Sequence, residues 1–118
     1  MSRTIVLYGR ATGIEPGDNE TTAVVPWKDA FNFQENAGYM IDGEYENAVI
    51  LPVNSTPNMA LTGAVHISVD RGHVNFKEFR VEFWLGELPY AKNHHTSELA
   101  PLDFDWVAYV PCFASVRG

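Results

Sequence analysis

The stretch LTGAVHISVDRGHVNFKEFRVEFWL (residues 61–85) decides the fold class. In its first half three apolar residues alternate with polar ones, and apolar side chains return at every second position from Phe79 to Leu85. Successive side chains of a β-strand point to opposite sides, so this alternation predicts two strands with one buried face each. The polar segment 70–73 lies between the two runs and predicts a turn, so the whole stretch predicts a β-hairpin.

The register of this hairpin requires one irregularity in its second strand. Val74 and Phe76 occupy even positions, whereas the apolar residues from Phe79 onward occupy odd ones. A β-bulge near Lys77 and Glu78 would absorb the extra residue without moving the apolar set to the other face of the sheet. We therefore predict a bulge at that point.

Further strands are predicted on both sides of the hairpin, with turn-forming residues between them. The predicted strands are 4–9, 21–27, 38–41, 47–53, 104–110 and 112–116. Residues 28–36 are interpreted as extended or irregular, and residues 86–101 lack periodicity and predict one long loop. The sequence thus predicts an all-β fold, a single-domain antiparallel β-sandwich or barrel of about 7–8 short strands over residues 1–118.

The composition favours one small domain with its own core. The chain has 118 residues, of which 46% are hydrophobic and 19% are charged, below the charged fraction of an average soluble domain. Its single cysteine, Cys112, excludes a disulfide within the chain, and apolar neighbours predict that it is buried. The apolar run at residues 5–8 is too short for a signal peptide or a membrane span, so we predict synthesis in a cytoplasm and no secretion by a signal peptide.

The net charge of −7 is concentrated in the first half of the chain. Residues 11–64 hold eight acidic side chains and one basic side chain, Lys28, whereas acids and bases cancel elsewhere. Nucleic acids and anionic membranes are bound by basic patches, so neither is predicted as a partner. The low fraction of charged residues instead leaves apolar surface for contacts between subunits.

Two groups of polar residues have ligand chemistry but no specific spacing. His94, His95 and Glu98 lie close together in the predicted loop, and they would bind zinc only if a distant histidine completed the set. Asp103 and Asp105 would face the same way on a strand, which is typical of a solvent-facing pair at a strand entrance. No phosphate loop or nucleophile motif is present, and we predict no metal, no cofactor and no catalytic residue.

Aromatic residues are the candidates for binding. Trp84 follows Phe83 along the strand and therefore points away from the buried face, on the same side as Arg80. Tryptophan, tyrosine and arginine are enriched in protein interfaces. We therefore predict interface roles for Trp84, Arg80, Trp27 and Tyr90.

The predicted function is that of a non-enzymatic structural protein, which assembles with itself or with other structural subunits. Small size and a β-rich class favour a virion (phage-like) component, such as a capsid decoration, head-completion or tail protein located in the virion. One alternative is a carbohydrate-binding module with a platform of aromatic rings. A second alternative is a small metal-dependent enzyme that uses the histidine-containing loop.

Overall fold

The structure, a computed structural model, describes residues 2–14, 22–53, 65–85, 88–89 and 102–113. Its elements are β1 (Ser2–Ile14), β2 (Thr22–Pro26), a 3-10 turn (Trp27–Asp29), α1 (Phe33–Met40), a second 3-10 turn (Tyr45–Asn47), β3 (Val49–Val53), β4 (Val65–Val74), β5 (Glu78–Leu85), β6 (Leu88–Pro89) and β7 (Leu102–Phe113). This part of the chain is mostly β-structure, which confirms the all-β prediction. No helix in the described ranges is long and apolar enough to cross a membrane.

The strands form two antiparallel sheets. In the first sheet the order is β1-β7-β3, and in the second it is β2-β5-β4, with the short β6 paired to the end of β5. The central strand β7 has a further backbone partner beyond the end of β3, on the same side. Residues 42–44 form backbone hydrogen bonds with Pro111 and Phe113 there. Pro111 is therefore accommodated inside one continuous strand, where the sequence predicts two strands. The neighbour of Pro111 on the side of β3 is this short segment. It requires fewer backbone N–H donors from β7 than a full strand would, so the missing N–H of Pro111 is tolerated.

The inward side chains of both sheets form one hydrophobic cluster. Val81 and Phe83 of β5 are fully buried, which confirms the buried face predicted from their alternation. The ring centroids of Phe83 and Phe104 lie 6.4 Å apart, and Phe79 and Trp106 make a closer contact at 5.1 Å. Both pairs join one sheet to the other in edge-to-face geometry, and such pairs are worth about 0.5–1.5 kcal/mol beyond the area that they bury.

The hairpin of β4 and β5 forms, but its turn lies later than predicted. The chain does not turn at residues 70–73; β4 continues through them to Val74. The reversal occurs at residues 75–77, where the Asn75 side chain accepts hydrogen bonds from the backbone N–H groups of Lys77 and Glu78. An asparagine that bonds the backbone two residues ahead is a strong turn former, and here it outweighs the aspartate and glycine before it.

The irregularity of the hairpin lies in β4 and not in β5, where it was predicted. Pairing passes from Asp70 and Arg80 directly to Val74 and Phe79, so the extra residues are 71–73 of β4. The predicted bulge in β5 was wrong because it assumed that Phe76 belongs to the core. Phe76 lies at the turn and is 70% exposed.

The segment predicted as extended at 28–36, and the strand predicted at 38–41, are helical instead. After the 3-10 turn at Trp27–Asp29, α1 runs from Phe33 to Met40. Phe33, Ala37 and Met40 recur at helical spacing and line the same cavity, which explains why a helix satisfies this sequence. The helix is short and contains Gly38, so its local signal is weak and tertiary packing decides its conformation.

Candidate interaction surface

The outward side of the first sheet carries apolar side chains where a solvent-facing sheet normally carries polar ones. The register aligns three residues, one from each strand, in each of two neighbouring rows. These six residues are called the outer apolar face: Val6, Tyr109 and Val49 in one row, and Tyr8, Val107 and Leu51 in the next.

The members of the outer apolar face alternate with core residues along their strands. Tyr8 is 48% exposed and Leu51 is 47% exposed, whereas their neighbours Leu7 and Ile50 are buried. Both sides of this sheet are therefore apolar. Phe31 extends the face beyond the edge of β1, with its ring 6.0 Å from that of Tyr8 in edge-to-face geometry. Contiguous apolar patches of this kind mark interaction sites, whereas isolated surface hydrophobics do not.

An ion-pair group closes one end of the outer apolar face. In the row after Tyr8, the Arg10 guanidinium lies 2.7 Å from the Asp105 carboxylate and 3.6 Å from that of Asp103. The hydrogen bond with Asp105 raises the pKa of Arg10, so the guanidinium stays charged. The side chains of Asp103 and Asp105 do face the same way, since both carboxylates lie within ion-pair distance of the Arg10 guanidinium. At this end of the face the charges of Arg10 and Asp105 therefore cancel.

The outward side of the second sheet is polar by comparison. Arg80 lies opposite Asp70, with 3.8 Å between guanidinium nitrogen and carboxylate oxygen. Trp84 lies further along β5, opposite His66, and both Arg80 and Trp84 are half-buried. These two predicted interface residues thus share one face, which is distinct from the outer apolar face.

The other two predicted interface residues are placed differently. Trp27 is 1% exposed and packs against the rings of Phe79 and Trp106, and its indole N–H donates to the Asn75 carbonyl oxygen at 2.7 Å. Its ring is therefore part of the hydrophobic core, and the surface proposed below does not include it. Tyr90 lies outside the described residues.

The alternative that depends on metal ligands gains nothing from the described residues, and the one that depends on stacked aromatics gains nothing from Trp27 or Trp106. In the described ranges no three histidine, cysteine or acidic side chains come together as metal ligands, and residues 94–98 lie outside those ranges. His73 has a partner of another kind, since its Nε2 lies 2.9 Å from a Glu78 carboxylate oxygen. Trp27 and Trp106 are each 1% exposed, so they do not form a sugar-stacking platform with Trp84.

Comparison of the chain with protein-family models, curated proteins and solved structures finds no match in any of the three. The interpretation of the outer apolar face therefore depends on its geometry and chemistry.

Sequence reasoning did not single out the outer apolar face, although a signal for it exists. The runs at residues 5–8 and 49–51 are apolar without alternation, and the strand from 104 to 110 has apolar side chains on both faces. Continuous apolar runs are typical of strands that are covered on both sides. What the sequence lacks is the pairing of β1, β7 and β3, which brings the three runs into one surface.

Proposed function

We propose that this protein is a non-enzymatic structural module that assembles with a second copy of itself through the outer apolar face. Its most concrete form is a small virion component, such as a capsid decoration, head-completion or tail protein. The observation that carries the proposal is the pair of apolar rows across β1, β7 and β3. Burial of apolar surface is the main driving force of stable association between proteins.

The distribution of charge on the outer apolar face permits a second copy as the partner. Two copies of a chain with a net charge of −7 repel each other, so they associate best through a surface that carries little charge. The two rows of the outer apolar face contain no charged residue, and the acidic side chains of residues 29–46 belong to the segment between β2 and β3. Valine, leucine and tyrosine side chains also fit against the same types in an isologous contact.

Contact between faces is favoured over addition of a strand at an edge of the first sheet. At the edge of β1 the Asn32 side chain already bonds the backbone of Val6 and Tyr8. At the opposite edge β3 contains Pro52, which has no N–H group to donate. Blocked edges of this kind protect a sheet against unwanted pairing and leave its face as the available surface.

Association through the outer apolar face requires a rigid support beneath the face. We propose that this support is a two-layer β-sandwich. The contacts of Phe79 with Trp106 and of Phe83 with Phe104 support this architecture. A sandwich holds both rows of the outer apolar face in place through the core beneath them. Such preorganisation lowers the entropy that association would otherwise remove.

Growth of a shell needs more than one contact surface, because a single isologous interface produces only a dimer. We propose the face with Trp84 and Arg80 for the second contact, with another structural subunit as its partner. Tyr90 stays a prediction for the same contact.

The test compares two equally exposed valines that lie on different sheets. Val6 and Val24 are each 44% exposed, Val6 in the outer apolar face and Val24 on β2 of the second sheet. Val6→Ser should raise the dimer dissociation constant at least about tenfold, because each of the two copies loses apolar burial worth about 1 kcal/mol. Val24→Ser should leave the constant within about twofold of the wild type. Sedimentation equilibrium at micromolar concentration measures both constants.

A wild-type chain that stays monomeric throughout this concentration range would contradict self-association. Equal effects of the two valine substitutions would place the contact elsewhere. Trp84→Ala serves as a third variant: if it alone abolished the dimer, the second sheet would be the dimer surface and the role of the outer apolar face would be wrong.

A further inference from the structure

A groove with aromatic walls lies between α1 and the turn that joins β4 to β5. It consists of two adjoining cavities of 430 and 360 Å³, and both are lined by Phe33, Tyr45 and Phe76. We call it the aromatic groove. Cavities of this size are typical of small-molecule sites, which combine apolar walls with a few polar groups.

The two ends of the aromatic groove differ in the charged side chains that line them. One end is lined by Lys28, Lys77 and Glu78, whereas the other is lined by Met40 and Ile41 and is apolar. Ile41 is 76% exposed, so this apolar end opens at the surface. The groove therefore has the polarity of an amphiphile, with a charged end and an apolar end.

The charged end is positive in an otherwise acidic protein. The Glu78 carboxylate accepts a hydrogen bond from the His73 ring when that nitrogen is protonated, and the two atoms lie 2.9 Å apart. Lys28 and Lys77 form no ion pair with any residue in the described ranges. The Lys77 ammonium lies 5.6 Å from the centroid of the Phe76 ring, directly beside a groove wall. Within the described residues, neither ammonium group is therefore committed to a carboxylate.

We propose that the aromatic groove binds a small amphiphilic carboxylate. The apolar part of the ligand lies between Phe33, Tyr45 and Phe76, and its carboxylate lies between the ammonium groups of Lys28 and Lys77. The complementarity of charge selects this occupant over a neutral apolar molecule. This site does not involve the outer apolar face and does not depend on the proposed function.

The test titrates the full chain with decanoate and, as the neutral control of equal chain length, with 1-decanol. Two-dimensional ¹H–¹⁵N spectra report the binding site through the shifted amide signals. Decanoate should shift the signals of Lys28, Phe33 and Phe76, and it should bind about fivefold more tightly than 1-decanol. This ratio follows because each exposed ion pair contributes only modestly to affinity, and two ammonium groups contribute.

Two sets of variants separate the charge from the apolar contact. The double variant Lys28→Gln, Lys77→Gln should bind decanoate only as well as 1-decanol, with 1-decanol binding unchanged. Phe76→Ser should weaken both ligands, whereas Phe113→Ser should weaken neither. Phe113 is a matched control because it is 61% exposed, close to the 70% of Phe76, and does not line the groove.

Each of the following results would overturn the proposal: equal affinity of the wild type for decanoate and 1-decanol, shifts confined to the outer apolar face, or equal losses in the two phenylalanine variants. Groove signals that move with protein concentration before any ligand is added would show a second copy in the groove, and this too would overturn it. Val6→Ser should bind decanoate like the wild type, so failure of the assembly proposal would be distinguishable from failure of this one.

Discussion

At the residue scale, Asn32 replaces a neighbouring strand at the edge of β1. Its Nδ2 donates to the Val6 carbonyl oxygen at 2.8 Å, and its Oδ1 accepts from the Tyr8 N–H at 3.3 Å. Asn32 is only 9% exposed, and both hydrogen bonds are partly buried. Asn32 also accepts a hydrogen bond at its own carbonyl oxygen from the side chain of Asn36, 2.9 Å away.

Substitution of Asn32 tests this role. Asn32→Ala should lower the free energy of unfolding by about 1–3 kcal/mol, because two backbone groups in partly buried hydrogen bonds lose their partner. Asn36→Ala removes one amide hydrogen bond at a half-buried position and should cost about 1 kcal/mol or less. Urea denaturation of both variants measures the difference, and equal losses would contradict the role assigned to Asn32.

At the element scale, α1 depends on its packing more than on its sequence. The Arg3 guanidinium lies 4.4 Å from the centroid of the Tyr39 ring and connects the helix to the start of β1. Met40 is buried at the end of the helix, and its carbonyl oxygen accepts a hydrogen bond from the Tyr45 hydroxyl. These contacts hold a helix of eight residues, which would be unstable in isolation.

Two glycine substitutions separate helix propensity from packing in a strand. A Cβ atom at Gly38 would meet no atom within 4 Å, so Gly38→Ala should raise the free energy of unfolding by about 0.5–1 kcal/mol through helix propensity. A Cβ at Gly9 of β1 would lie 2.7 Å from the Trp106 ring, so Gly9→Ala should lower it by about 1–3 kcal/mol.

Thermal unfolding measures both glycine variants against the wild type. The expected shifts have opposite signs for the same chemical change. A stabilising Gly9→Ala would contradict the close packing between β1 and Trp106, and a destabilising Gly38→Ala would contradict an exposed helical environment at that position.

At the scale of the whole molecule, the end of α1 and the central strand β7 meet at Cys112. This thiol is buried opposite Gly43, and the segment 42–44 continues the sheet along β7. Burial raises the pKa of Cys112, and the carboxylates of Asp42 and Glu44 raise it further, whereas Arg3 lowers it. Burial also raises the pKa of the Tyr45 hydroxyl.

These shifts predict a loss of stability in alkaline solution. A raised pKa means that the folded protein keeps a proton that the unfolded chain releases, so the stabilisation is complete below the unfolded pKa and is lost as the pH rises above it. For Cys112 the loss begins near pH 9, the ordinary thiol value. The free energy of unfolding should therefore fall with pH in this range, and the fall should be smaller in Cys112→Ser.

Denaturation at a series of pH values tests this. Serine is the suitable replacement because its hydroxyl does not titrate in this range and can donate to the Val110 carbonyl oxygen, as the thiol does at 3.5 Å. The two proteins share all their other charged groups. The effect of net charge on stability therefore cancels when the two slopes of unfolding free energy against pH are compared. Identical slopes for the two proteins would contradict the raised pKa of Cys112.

The sequence by itself determined the all-β class, the hairpin and the buried alternation of β5. Each of these follows from a pattern within a few neighbouring residues, because strand alternation is a local property of the backbone. The same local logic correctly placed Asp103 and Asp105 on one side of a strand.

Only the tertiary structure decided the helix, the turn of the hairpin and both candidate surfaces. Residues 33–40 become helical because Phe33 and Met40 find partners that are distant in sequence. Trp27, predicted at an interface, is buried because the rings of Phe79 and Trp106 surround it. The outer apolar face and the aromatic groove arise only when separate segments become neighbours, and no pattern along a single strand specifies which segments will pair.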